Sequence, residues 1–71
     1  MFIVEIQNRN THAYMGFLVE EEYMGKIGYG LFPIRQFAHR FKTEREALSA
    51  GQDFVGDSTS LAIVVHYQEV M

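Results

Sequence analysis

Thr43-Glu44-Arg45-Glu46-Ala47-Leu48 is the stretch on which the fold turns. A Thr three residues ahead of a Glu, just before an apolar periodicity, reads as a capping box. The Thr43 hydroxyl accepts from the backbone N–H of Glu46, and the Glu46 carboxylate reaches back to the N–H of Thr43. The N-cap is therefore expected at Thr43, with Glu44 beside the positive end of the helix dipole. Ala47, Leu48, Gly51, Phe54 and Val55 then recur at helical spacing and predict one apolar stripe facing a sheet. Gly56-Asp57-Ser58-Thr59-Ser60 stops the helix.

What flanks this helix reads as strand. After it, Leu61, Ile63, Val65 and Tyr67 alternate with Ala62, Val64, His66 and Gln68. Both faces stay apolar as far as His66, which predicts an interior strand or a buried edge. At the start of the chain, Phe2, Val4 and Ile6 alternate with Ile3, Glu5 and Gln7. Asn8-Arg9-Asn10-Thr11 supplies a turn, and His12 to Val19 is rich in aromatic and β-branched residues, so a hairpin is expected. Glu20-Glu21-Glu22 reads as an interruption. In Tyr23 to Phe32 the glycines at 25, 28 and 30 oppose a helix, and the alternation of Ile27, Tyr29 and Leu31 fits a short third strand as well as an aromatic loop. Pro33 ends that segment, and a turn of helix is expected over 34–38. The reading is a single α+β domain over residues 1–71: a small two-layer sandwich, ββ(β)αβ, with a three- to four-stranded, mostly antiparallel sheet and one helix. Three strands in the order 2-1-4 would be wholly antiparallel. With four, a right-handed crossover would set the last strand parallel to its neighbour.

A chain of 71 residues buries only about 60% of the surface it exposes when unfolded, so one thin core is all it can build. Hydrophobic residues at 48% and charged residues at 21% place it with ordered globular chains. Cysteine is absent, which removes disulfides, thiolate nucleophiles and thiolate metal sites. A net charge of −3 opposes binding of nucleic acid by bulk charge. The N-terminal Met1-Phe2-Ile3-Val4-Glu5 lacks a basic n-region, and the longest apolar run, Leu61 to Val65, is far below the ~18 residues of a membrane span. A cytoplasmic protein with no membrane association is expected.

The segment from Ala38 to Ala47 resembles a pattern, A-x-x-F-x-T-x-x-E-A, of small uncharacterised proteins of bacteriophages and their hosts, in which a short hairpin precedes the motif and a helix starts at the Thr. Ala38, Phe41, Thr43, Glu46 and Ala47 carry the match, which spans about half the chain with its hairpin. The resemblance implies no catalytic residues. It implies an accessory protein that acts by binding a host protein.

The chemistry-bearing residues support a binding role better than a catalytic one. His12, His39 and His66 lack helical metal spacing, although His12 and His66 on paired strands could meet across a sheet. Ser49, Ser58 and Ser60 have no nucleophile-elbow context, and a fold this small has little depth in which to desolvate a site. No enzyme activity, cofactor or metal is expected. Gly25-Lys26-Ile27-Gly28 is not followed by a helix N-terminus that could cradle phosphate, and reads as a turn. The leading candidate site is a partner-binding segment: Glu20, Glu21 and Glu22 to steer toward a basic surface, and Tyr23, Met24, Ile27, Tyr29 and Phe32, with Leu31 among them, as apolar anchors. The alternative is a nucleic-acid-binding segment of Arg35, His39, Arg40, Lys42 and Arg45 interleaved with Phe37 and Phe41, which as core anchors would leave the cations merely solvated. A third reading is a structural homo-oligomer without ligand. A homodimer through the sheet or its edge would cover the face on which Ile3 and Val64 project, unless Tyr23 to Phe32 folds back over it.

Overall fold

The computed structural model describes residues 1–69. It contains strands β1 (Phe2–Asn8), β2 (Tyr14–Tyr23), β3 (Lys26–Phe32) and β4 (Leu61–Tyr67), one helix α1 (Glu44–Val55), and a 3-10 turn at Arg35–Phe37. The sheet order is β3-β2-β1-β4 and every neighbouring pair is antiparallel. This is the expected small α+β sandwich with its third strand formed.

The first hairpin turns on Asn8, whose side-chain oxygen accepts from the N–H of Asn10 at 2.9 Å and of Thr11 at 3.0 Å. The left-handed residue of this turn is His12, at φ 60°, not an asparagine. β2 consequently starts at Tyr14, and Met15 is an extra residue between the partners of Ile6 and Gln7. Glu20-Glu21-Glu22 does not interrupt: β2 runs through it to Tyr23, because β3 offers Tyr29, Gly28 and Ile27 as partners. The hairpin closes through Met24 (φ 52°) and Gly25 (φ 79°), the two positive angles of a type I′ turn.

Register assigns the faces. Val4, Ile6 and Leu18 are fully buried and meet Phe41, Ala47 and Ala50, with Leu31, Tyr29, Ile63 and Val65 packed around them. The opposite face carries Ile3 and Phe17, both buried against Ala38. α1 starts as expected, with Thr43 Oγ1 accepting from the Glu46 N–H at 3.1 Å. The reciprocal bond from the Glu46 carboxylate is not formed among the described residues. The buried stripe is Ala47, Ala50 and Gly51, and Leu48 is 38% exposed, contrary to the predicted stripe. The cause is close approach: a Cβ on Gly51 would lie 2.8 Å from Cγ2 of Ile63, which rotates the helix onto its small residues.

The connection from β3 to α1 crosses the sheet plane. After Phe32 the chain runs along the open face to Ala38. His39 N–H then donates to the Leu18 carbonyl at 2.9 Å, and Phe41 and Phe2 exchange two bonds of 2.8 Å. Residues 39–41 thus pass between the ends of β1 and β2 and deliver α1 to the other face. The chain makes one traverse on the open face and a second as α1. Two traverses return it to the top of the sheet, so β4 runs antiparallel to β1. A crossover with a single traverse would have made it parallel. β4 is an outer edge, not an interior or buried one. Ile3 is buried against Phe17 and Ala38 rather than under Tyr23 to Phe32.

Candidate functional site

The expected partner-binding segment lies entirely on the β2–β3 hairpin, but strand geometry divides it. Glu20 and Glu22 pair with Tyr29 and Ile27 on the helix side, while Glu21 pairs with Gly28 and shares the open face with Val19 and Tyr23. At the tip, Tyr23 is 77%, Met24 85% and Ile27 67% exposed. Tyr29 and Leu31 instead pack against the core. The acidic run is therefore two separate groups, not one steering patch.

The open face of the hairpin is the more organised surface. Phe32 is exposed there and meets Phe37 edge to face, centroids 5.5 Å apart. Val19, Phe32 and Phe37 line a shallow apolar cleft of about 250 Å³. Ile34 is exposed, and the Tyr14 hydroxyl donates to the Pro33 carbonyl, tying the chain just ahead of the 3-10 turn to the start of β2. The Arg35 guanidinium sits 5.9 Å from the Phe17 ring centroid. Toward the tip, Gly28 and Gly30 leave the sheet bare, and only the Glu21 carboxylate lies over Gly30. Phe37 belongs to this surface; of the two phenylalanines expected as core anchors, Phe37 and Phe41, only Phe41 is buried. The available signal was that a single helix covers a single face.

On the helix side a cleft of about 460 Å³ runs between α1 and the hairpin. His39 stands on its floor, edge-to-face with Phe41 at 4.7 Å and with Tyr29 at 6.1 Å, its Nδ1 3.7 Å from Glu20. Arg45, Glu46 and Asp53 also line it. The basic segment is thereby split: Arg35 is on the open face, Arg45 in the first turn of α1 on the other, exposed Arg40 within the crossing and exposed Lys42 just after it.

His12 and His66 do not meet, since His12 is in the hairpin turn and His66 lies opposite Ile3 at the far end of β1. His66 Nε2 is instead 2.8 Å from Glu5 Oε1, and Gln7 Nε2 donates to the other Glu5 oxygen at 2.8 Å. Burial pushes the Glu5 carboxyl up. The hydrogen bonds of Gln7 and His66 and the charges of His66 and Arg35 outweigh it and hold the carboxyl below its ordinary value. Among the described residues no group of three or more His, Asp or Glu is placed to hold a metal. Gly25 is in the tight turn and Gly28 in β3, so the glycine loop is a hairpin tip. Ser58 and Ser60 bond to each other at 3.2 Å within the α1–β4 turn. No helix among the described residues is long and apolar enough to cross a membrane. No family model, curated protein or solved structure matches the chain.

Proposed function

We propose that the protein is a protein-interaction module that binds through the open face of its β2–β3 hairpin. One observation carries the reading. Tyr23, Phe32 and Phe37, exposed by 77, 40 and 56%, lie along one side of the sheet, with an apolar cleft between Phe32 and Phe37 and a glycine floor toward Tyr23. Aromatic side chains of this kind anchor interfaces at low entropy cost. The cleft takes an aliphatic or aromatic side chain of the partner, and Glu21 is placed to meet a cation beside it. The action is steric occupation, with no chemistry asked of the chain. The motif of Ala38, Phe41, Thr43, Glu46 and Ala47 is the support for a host protein as that partner and for a modulatory or inhibitory role.

The test is quantitative capture of the partner recovered with the tagged wild-type chain. Tyr23→Ser and Phe37→Ser, both at exposed positions, should each weaken binding about tenfold or more, in line with interface anchors, while Lys42→Ser leaves it unchanged. If the aromatic changes are silent and Arg40→Glu with Arg45→Glu removes binding, the surface is wrong and the basic segment carries the function, with nucleic acid as the ligand.

A further inference from the structure

The backbone of β4 offers a second surface, independent of the open-face reading. Met1 and Gln68 exchange two bonds, of 3.0 and 2.7 Å, and Arg9 N–H donates to Ser60 at 2.8 Å. An antiparallel ladder alternates, so the pairs Ile3–His66, Glu5–Val64 and Gln7–Ala62 between them are also the hydrogen-bonded ones. Leu61, Ile63, Val65 and Tyr67 must then direct their N–H and C=O groups away from the sheet. From Leu61 to Tyr67 there is no Pro, Gly, Asp, Glu, Lys or Arg. The prolines, glycines and formally charged side chains that normally protect an edge are therefore absent from this strand. The other edge, β3, carries Lys26, Gly28 and Gly30.

We propose that β4 pairs antiparallel with β4 of a second copy about a two-fold axis at Val64. This register uses all four outward residues: Ile63 bonds to Val65 of the second copy and Leu61 to Tyr67, reciprocally. On the open face Val64 meets its own counterpart and Ala62 meets His66, so no like charges are opposed. The result is a continuous eight-stranded sheet with both helices on one side.

The position of α1 suits this arrangement. The helix lies over β1 and β4, with Gly51 against Ile63. Strands about 4.8 Å apart then set the two helices roughly 10 Å apart across the seam, the distance at which helices pack. They run antiparallel, which suits their dipoles. Glu46, Ser49 and Asp53 face the cleft toward Tyr29 of β3. Leu48 and Gln52, with Glu44, Arg45 and Ser49, line a shallow groove along α1 itself. Leu48, left exposed on α1 by the close approach of Gly51 to Ile63, would gain a second helix opposite it.

Absence of cysteine makes the test direct. In this register the Cα atoms of residue 64 in the two copies are about 4.5 Å apart, within disulfide range. Val64→Cys should therefore cross-link nearly completely on mild oxidation. Ala62→Cys should not, because its counterpart lies about 13 Å away along the strand. Sedimentation equilibrium of the wild-type chain should give twice 8.2 kDa at micromolar concentration. Val64→Lys places its cation beside Glu5 within one copy but against its own counterpart in the pair. It should stay folded by circular dichroism and weaken association about tenfold or more, as like charges directly opposite do. A wild-type mass of 8.2 kDa up to 0.1 mM would overturn the proposal, as would equal cross-linking of the two cysteine variants, or a dimer that Val64→Lys leaves intact.

Discussion

Gly51 is tolerated in mid-helix because Ile63 occupies the space a side chain would need. Gly51→Ala gains about 1 kcal/mol of helix propensity but incurs an overpacking penalty of about 1–3 kcal/mol. The net effect should be a loss on urea unfolding, and a stabilised variant would mean that the helix is free to lift from β4. Thr43→Ala removes the bond to the Glu46 N–H and should cost about 1 kcal/mol. Glu5 makes stability depend on acid. Its carboxyl is held below the ordinary value near 4.5, so its contribution is present above that pH and is lost as pH falls through the lower folded value. Glu5→Gln should lower stability at neutral pH and flatten the decline below pH 4.5, read from thermal melts across pH 2–7.

The β2–β3 hairpin depends on Met24 in a left-handed position, a conformation Asn adopts more readily. Met24→Asn should raise stability by about 0.5–1 kcal/mol. An unchanged melting temperature would mean the turn relaxes in solution. Sequence patterning made the strands visible wherever a face was buried, as in Phe2, Val4 and Ile6 against Leu61, Ile63 and Val65. It failed where strand residues face water. Glu20 and Glu22 look like a break because charge lowers β propensity, yet their backbone is fully laddered to β3. Leu48 was predicted inward because a helical stripe about 100° wide admits it, and only the approach of Ile63 excludes it. The aromatic residues of the site were legible as residues. Their division between two faces was not, since it depends on β2 continuing through the acidic run.

At the scale of the whole molecule, net charge and its layout oppose tight binding of nucleic acid. Four cations crowd the sequence between Arg35 and Arg45, but the crossing at residues 39–41 sends Arg35 to one face and Arg45 to the other. With a net charge of −3, a fluorescence titration with single- or double-stranded DNA should detect only weak binding that vanishes by about 0.2 M salt. Submicromolar affinity at physiological salt would reverse the ranking of the two surfaces.

The passage of residues 39–41 between β1 and β2 also governs how the molecule can open. Phe41 is bonded to Phe2 on one side of the gap and His39 to Leu18 on the other, so this segment cannot leave the sheet without breaking bonds to both central strands. Fraying is therefore confined to the hairpin tip and the outer edges. The amides of Phe2, His39 and Phe41 should exchange with solvent only through global unfolding, at one common free energy.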